Sequence, residues 1–256
     1  MIDTFIRSLK TIFTDSTLRN RVLFLFGALL LFRLLATIPI PGVDAIRLAQ
    51  FLAQNSYFSL LNVFSGGGFS NLSIVMLGVG PYITASIIMQ LLTVLSPQLK
   101  ATYQEEGEAG QIKFTQWTRY LTVPLAFLQA FAFVLLLEKQ GVVASLSPLL
   151  TIVNVTIVAS GSVLLMWIGE LMTEFGIGNG ISLLIFAGIV SQLPATITQL
   201  LFTYDPTQIP TYLGFLALGL AAIAAVVFIS EAERPVPVMY ARQSYGGAAR
   251  GGQATY

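Results

Sequence analysis

Two glutamates, Glu170 and Glu174, are the carboxylates best placed for acid–base chemistry, because both lie at the end of a long apolar segment. An intramembrane protease would need a serine combined with a histidine, or a buried pair of aspartates. The sequence contains no histidine and no cysteine. These absences exclude imidazole general bases, thiolate chemistry, disulfides and the usual zinc sites.

The aspartates do not supply the missing acidic pair. They all lie outside the apolar segments of the sequence: Asp3, Asp15, Asp44 and Asp205. We therefore interpret Glu170 and Glu174 as charged anchors at a helix end. The sequence predicts a protein that is not an enzyme, with no catalytic residue, no metal site and no cofactor.

The composition indicates the solvent in which this chain folds. Hydrophobic residues make up 55% of the sequence and charged residues only 10%, with a mean hydropathy of +0.79. Soluble domains are about 25% charged, so the sequence predicts an integral membrane protein. Its apolar segments are long continuous blocks, which favours helices over a β-barrel. The predicted fold class is all-α, a polytopic membrane helical bundle. The net charge of +1 gives no indication of nucleic-acid binding.

Six apolar segments are long enough to be membrane spans, for which the minimum is about 17 residues. The segment before them, 1–21, has apolar residues at helical spacing and predicts either a helix on the cytoplasmic membrane surface or an ordinary packing helix. It lacks a cleavable signal pattern, so the first apolar block is expected to remain as a span. The predicted spans are 22–38, 72–95, 120–137, 149–168, 181–202 and 212–229.

The distribution of basic residues predicts the orientation in the membrane. With the N-terminus inside, ten lysines and arginines fall in inside segments and two, Arg47 and Lys139, in outside segments. Basic residues concentrate on the cytoplasmic side of membrane proteins, so this bias predicts a cytoplasmic N-terminus. The remaining basic residue, Arg33, lies near the outer end of the first span, where its long side chain can reach the interface.

The stretch GVGPYITASIIMQLLTVLSP, residues 78–97, predicts a helix that begins inside the membrane. From Pro81 to Leu95 there are 15 residues, about 22 Å of helix, which is too short for about 30 Å of hydrocarbon. Gly78 and Gly80 permit unusual dihedrals and Pro81 suits a first helical turn, so these three residues mark a helix break. Non-helical backbone at that depth is buried in protein or faces a water-filled cavity. The alternative is a proline-kinked structural helix.

Two isoleucines of this short helix, Ile83 and Ile87, are four residues apart and share a face. Counted back from an interface near Ser96, they bracket the centre of the bilayer. Facing lipid, they would have no special role. Facing a water-filled cavity, they would form an apolar constriction that blocks ions. Their spacing alone leaves both interpretations open.

Several long motifs resemble the SecY family, the channel subunit of the bacterial Sec protein translocase. They occur in order along essentially the whole chain: FSGGGFSNLSI, GVGPYITASIIMQLLTVLSPQL, EEGEAGQIKFTQWTRYLTV and MWIGELMTEFGIGNGISLLIFAGIV. The resemblance implies a passive channel for translocating unfolded polypeptides across the bacterial cytoplasmic membrane and for inserting them into it.

The resemblance also implies ten spans arranged as an inverted repeat. This chain would then hold the first five-span half, 22–202, the sixth span, 203–230, and the start of a cytoplasmic loop, 231–256. We therefore expect the sequence to be truncated inside that loop.

The resemblance further implies roles for particular residues. A ring of apolar residues at the waist of the channel would consist of Ile83, Ile87 and Ile185. Ile185 closely follows the GIGNG turn at 176–180 and would be only about 6 Å deep if that turn marked the membrane surface. Either the turn is recessed in a cytoplasmic funnel or Ile185 is not in the ring.

An outer plug is implied at about 61–75, a polar, glycine-rich stretch that we expect to have little to pack against. Its central residues would be Phe64, Ser65, Gly66, Gly67, Gly68, Phe69, Ser70 and Asn71.

The partners implied by the resemblance are SecE- and SecG-type small subunits, SecA, the ribosome, membrane lipid and unfolded precursors with signal sequences. No direct nucleic-acid contact is implied apart from ribosomal RNA. The arginines of the last segment, Arg234, Arg242 and Arg250, would form a docking site for the ribosome or SecA; the alternative is a solvated positive-inside loop. The family has a basic cluster after Gly-Glu-x-Gly, reduced here to Lys113, so cytosolic contacts there are expected to be weaker.

A secondary transporter is the alternative function, because transporters also place broken helices at the membrane midplane. Transporters normally carry charged or coordinating side chains at such a break. Here the residues after the break include Tyr82, Ile83, Thr84 and Ser86, with no acid nearby.

Overall fold

The computed structural model describes residues 15–41, 47–48, 50, 62, 65, 67–69, 71–104, 107–143, 147–202, 208–232, 237–238 and 254–255. Several predicted features lie outside these residues. They are most of the N-terminal segment 1–21, the plug residues Phe64, Gly66 and Ser70, and the loop arginines Arg234, Arg242 and Arg250.

The described residues form helices almost throughout, which confirms the predicted all-α class. Besides turns and one isolated bridge, the described residues include an antiparallel pair of two-residue strands, in which Pro237 lies opposite Thr255 and Val238 opposite Ala254. In chain order the described elements are α1 (Ser16–Leu35), α2 (Gly80–Leu95), α3 (Pro97–Gln104), α4 (Gly107–Lys139), α5 (Pro148–Phe175), α6 (Gly180–Val190), α7 (Leu193–Phe202), α8 (Ile209–Ser230), β1 (Pro237–Val238) and β2 (Ala254–Thr255).

The chain divides into two compact units, Met1–Thr198 and Gln199–Tyr256. The first unit contains α1 to α6 and all of the packed core described below. The second contains α8, an apolar helix with no buried residue, and the strand pair.

Four of the described helical segments are long and apolar enough to cross a membrane: Gly107–Lys139, Pro148–Phe175, Gly180–Gln199 and Ile209–Ser230. A fifth span is possible if α2 and α3, which are bent by 115°, are counted as one broken segment. At 20 residues, α1 could also cross about 30 Å, but it contains Arg19, Arg21 and Arg33. The chain is a multi-pass membrane protein.

The centre of the first unit is built on α4, which packs against α2 and α5. One face of α4 is buried at nearly every fourth position, and small residues on this face, such as Ala126 and Ala130, allow close helix contact. The buried residues of that face are Gly110, Phe114, Thr118, Thr122, Ala126, Ala130, Val134 and Leu137.

The turn between α5 and α6 is the GIGNG motif. Gly178 has a φ of +74°, in the left-handed region that favours glycine. The side chain of Asn179 caps α6 by accepting a hydrogen bond from the N–H of Ser182 at 3.1 Å. A Cβ atom at Gly180 would overlap the carbonyl oxygen of Gly169. The glycines therefore let α5 and α6 pack in close contact.

The predicted span 181–202 corresponds to the candidate span Gly180–Gln199, which contains a turn. Ser191 and Gln192 form a turn that separates α6 from α7. Pro194 has no backbone N–H, so it could not donate the next bond of an uninterrupted helix. The hydroxyl of Ser191 donates to the carbonyl oxygen of Gly188 at 2.7 Å and so satisfies a carbonyl near the end of α6.

Candidate functional site

The backbone before α2 turns without forming a helix between residues 74 and 79. Gly78 has a φ of +58°, again in the left-handed region, and its N–H donates to the carbonyl oxygen of Val75 at 2.8 Å. Helix α2 begins at Gly80, and Pro81 lies in its first turn, where a missing N–H leaves no bond unmade. The short helix therefore begins one residue before the predicted Pro81.

Helix α5 forms a wall against this non-helical backbone. The buried hydroxyl of Ser162 donates to the carbonyl oxygen of Gly78 at 2.8 Å. At Gly161, a Cβ atom would overlap the carbonyl oxygen of Ile74, so only glycine permits this approach. Sequence reasoning missed both residues, because nothing in the sequence links α5 to a turn more than 80 positions earlier.

Two non-helical segments are joined just before the break. The N–H of Ile40 donates to the carbonyl oxygen of Leu72 at 2.9 Å, and the N–H of Ile74 donates to that of Ile38 at 3.0 Å. The two bonds form an antiparallel bridge centred on Pro39 and Ser73. They hold the segment that follows α1 against the segment that leads into α2.

The described residues of the predicted plug make more hydrogen bonds and packing contacts than their polar, glycine-rich composition suggested. The hydroxyl of Ser65 accepts a hydrogen bond from the N–H of Phe69 at 3.1 Å. Phe69 is 1% exposed, and its ring meets that of Phe133 edge to face at 5.7 Å. The side-chain amide of Asn71 donates to the carbonyl oxygen of Ala36 at 3.3 Å. The expectation that this stretch has little to pack against is wrong for Phe69.

A cavity of about 540 Å³ lies beside the break and brings several of the sequence-predicted residues together. Ser65 and Phe69 of the predicted plug line it, together with Ile83 and Ile185 of the predicted ring. Its lining is mainly apolar and contains no charged residue among those described: Ser65, Phe69, Met76, Leu77, Val79, Gly80, Ile83, Thr84, Gln129, Phe133 and Ile185. A cavity with so apolar a lining and no charged side chain among the described residues can exclude ions.

The third predicted ring residue, Ile87, lies one turn further along α2. Its side chain is 51% exposed and is not part of the cavity lining. Ile185 lies beside the cavity although it closely follows the turn at Gly178.

The two glutamates of α5 have different surroundings. Glu170 forms an ion pair with the Nε atom of Arg119 on α4. Glu174 lines a separate cleft with Arg21 of α1. Among the described residues, no group of three or more acidic side chains could hold a metal ion. With no charge in the described lining of the cavity, the transporter alternative is not supported.

A SecY family profile matches residues 73–256, which is more than half of the chain. The protein translocase subunit SecY of Mycobacterium tuberculosis H37Rv is 40% identical over 270 residues, covering 100% of this chain and 59% of the relative. That of Pseudomonas aeruginosa PAO1 is 45% identical over 235 residues, covering 90% of this chain and 53% of the relative. The chain thus spans less than two thirds of the length of these relatives.

Solved structures share the fold at lower identity. A structure described as a protein conducting channel has a TM-score of 0.53 and 23% identity, covering 94% of this chain and 53% of its own. Sec61 in a canine ribosome-channel complex has a TM-score of 0.51 and 24% identity, covering 80% of this chain and 43% of its own.

A third structure has a TM-score of 0.52 and 21% identity, covering 94% of this chain and 53% of its own. Its description states that the plug domain of SecY stabilises the closed state and maintains a membrane seal. The profile match, the full-length identity to curated relatives and the shared helical architecture agree, and this chain belongs to the SecY family.

Proposed function

We propose that this chain forms the N-terminal part of a protein-conducting channel in the bacterial cytoplasmic membrane. The channel moves unfolded polypeptides across the membrane and inserts others into it. The observation that carries the proposal is the cavity beside the break, where Ile83 and Ile185 meet Ser65 and Phe69. A helix that begins within the membrane leaves room for such a cavity, and its apolar lining repels ions.

In this proposal Ile83, Ile87 and Ile185 form the apolar ring that closes around a passing chain. Residues 61–75 form the plug that closes the resting channel from the outer side. The burial of Phe69 beside Phe133 supports this role, because a seal needs a defined resting position. The bridge between Pro39 and Ser73 supports it as well, because it fixes the point where the plug rejoins the bundle.

The N-terminus lies in the cytoplasm in this proposal, as the ten-to-two bias of basic residues indicates. Arg234, Arg242 and Arg250 then lie on the cytoplasmic side, where they provide a positively charged docking surface for SecA or the ribosome. SecE- and SecG-type subunits complete the membrane complex. The description of canine Sec61 with a ribosome supports a ribosomal partner for this family.

The test is site-specific photo-cross-linking in cells that produce the protein and a secreted precursor stalled during export. A photoreactive amino acid at Ile83 or Ile185 should cross-link to the precursor, because both side chains line the cavity. The matched control is Leu128 on α4, a position 65% exposed and outside the cavity lining. Cross-linking at Leu128 as strong as at Ile83 would show that the precursor does not pass through this cavity. Concentrative uptake of a small solute would point to a transporter instead.

A further inference from the structure

Helix α4 is longer than a membrane crossing requires. Its 33 residues extend over about 50 Å, whereas the hydrocarbon core is about 30 Å thick. With Lys139 at one membrane boundary, about 30 Å of helix reaches back only to Arg119. Residues 107–118 therefore project beyond the hydrocarbon on the side where α4 begins, which is the cytoplasm in the proposed orientation.

The projecting part of α4 is joined to α2 through α3. The ring of Tyr103 on α3 lies against the buried ring of Phe114 on α4, with 4.7 Å between the ring centroids. Only Ser96 separates α3 from the end of α2. We call α3 together with residues 107–118 the inner arm. A displacement of the inner arm would be passed directly to the helix that begins at the break.

The other end of α4 is fixed in the core of the first unit. Four of its side chains are at most 1% exposed and belong to one hydrophobic cluster: Ala126, Ala130, Val134 and Leu137. We call residues 125–139 the outer arm. The outer arm cannot move without disrupting this core.

Between the two arms, α4 contains three features that weaken its backbone hydrogen bonding. Pro124 lies inside the helix and has no N–H to donate to the carbonyl oxygen four residues before it. The hydroxyl of Thr118 donates to the carbonyl oxygen of Phe114 at 3.0 Å, and that of Thr122 donates to the carbonyl oxygen of Thr118 at 2.7 Å. Threonine bonds of this kind bend helices slightly, and interior prolines kink them. Residues 118–124, which we call the hinge, are therefore the place where α4 bends most easily.

An ion pair connects the hinge to α5. Arg119, which lies within the hinge, pairs through its Nε atom with Glu170, and the two side chains are 44% and 19% exposed. Glu170 lies on the same helix as Ser162, which bonds to the backbone of the break. Ion pairs with this much exposure contribute little to stability. The pair can therefore hold the hinge at rest and still separate under load.

We propose that α4 is a lever that bends at the hinge, and that the ion pair between Arg119 and Glu170 holds it in its resting position. A cytoplasmic partner that pulls on the inner arm then shifts the end of α2, while the outer arm stays in the core. The use of this motion in transport rests on the proposed channel function. The bending itself can be measured without transport.

The bending is tested by double electron–electron resonance on the full translocase in lipid nanodiscs, with any cysteines outside this chain replaced. Spin labels are attached to cysteines introduced at Gln111 and Ala132, two exposed positions on either side of the hinge. Pro124→Ala should narrow the distribution of distances between the labels, because alanine restores the missing backbone bond. The matched control is Pro148→Ala, in the first turn of α5, where proline leaves no bond unmade. Equal distributions for the wild-type protein and Pro124→Ala would overturn the hinge.

The role of the ion pair is tested by the same measurement. Arg119→Gln should broaden the distance distribution, and so should Glu170→Gln. Exchanging the two charges, Arg119→Glu with Glu170→Arg, should restore the wild-type width, because the pair is formed again. Lys139→Gln, at the far end of α4, is the control and should change nothing. A distribution that stays broad after the exchange would contradict the role of the pair.

The rate of precursor export separates a lever from a merely structural proline. Pro124→Ala should raise the midpoint of thermal unfolding, because alanine suits a helix interior better than proline. It should nevertheless slow export severalfold, because α4 no longer bends. Export at the wild-type rate by this variant would show that bending plays no part in transport. Failure of the cross-links expected at Ile83 would instead remove the channel function and leave the distance measurements standing.

Discussion

The hydroxyl group of Ser162, in the middle of α5, donates a hydrogen bond of 2.8 Å to the carbonyl oxygen of Gly78. Both residues are buried. Because Gly78 precedes α2, its carbonyl group is not in a regular helix, and apolar surroundings offer it no water. An unsatisfied buried acceptor costs about 1–3 kcal/mol. Helix α5 therefore supplies the bond that makes a helix break tolerable at this depth.

Replacing Ser162 by alanine should destabilise the protein by about 1–3 kcal/mol, because the Gly78 carbonyl loses its partner. The midpoint of thermal unfolding in detergent should fall by a few degrees. Ser182→Ala is the matched control, since Ser182 is exposed on α6. An unchanged midpoint for Ser162→Ala would mean that another group or water satisfies the carbonyl.

Replacing Gly161 by alanine should lower the unfolding midpoint more than replacing Ser162 by alanine does. The added methyl group would overlap the backbone carbonyl of Ile74, which cannot rotate away as a side chain could. Overpacking of this kind costs about 1–3 kcal/mol or more. Gly214→Ala, with nothing near its added methyl group, should not lower the unfolding midpoint, because alanine is the better helix former. Similar midpoints for the two variants would show that α5 can move away from the Ile74 carbonyl without loss of stability.

Replacing Phe69 by alanine should loosen the plug while leaving the helices folded. The change removes a fully buried ring, at a cost of about 3–5 kcal/mol, and its edge-to-face contact with Phe133. Ion conductance of the resting channel in planar bilayers should rise, with the helical circular dichroism unchanged. The control is Phe127→Ala, which removes a partly exposed ring from α4. Equal resting conductance for both variants would argue that Phe69 plays no part in closing the channel.

Replacing Ile83 by aspartate should raise resting ion leak in the complete translocase, because a charge attracts water into the apolar cavity. Leucine at the same position should be tolerated, since it keeps the apolar volume. Ile87→Asp should raise the leak too if Ile87 belongs to the ring, and its exposure makes its effect the smaller one. If aspartate and leucine at position 83 conduct equally, Ile83 is not part of the constriction.

Cysteines introduced at Gln140 and Gln104 should lie on opposite sides of the membrane. The native chain has no cysteine, so each introduced thiol is the single target of a label. With a cytoplasmic N-terminus, a membrane-impermeant maleimide added to intact cells should label position 140 and not position 104. The reverse pattern would overturn the proposed orientation.

The sequence allowed the helix break to be located because its signals are local. Gly78, Gly80 and Pro81 each restrict or extend backbone freedom at their own position, and fifteen residues are too few to cross the membrane. The predicted span 181–202 agrees with the candidate span Gly180–Gln199, but hydropathy does not show the turn at Ser191 and Gln192 within it.

The contacts across the bundle could not be predicted in this way. In the sequence, Ser162 is one serine among others in an apolar segment, and nothing indicates its bond to Gly78. Nothing in the sequence indicates that Glu170 pairs with Arg119 either. Phe69 lies in a polar, glycine-rich stretch that indicates exposure. Its burial depends on Phe133, and only the packing of α4 brings the two rings together.

The bridge between residues 38–40 and 72–74 has a kinetic consequence for the stretch of chain that it encloses. Its two hydrogen bonds hold the ends of the stretch 41–71 beside each other. When Phe69 is displaced, it remains tethered within a small volume, at an effective concentration on the order of millimolar. Its return is then a first-order step that depends on neither the amount of protein nor a second molecule. In the proposed channel, a plug held in this way would return by itself each time a substrate departs.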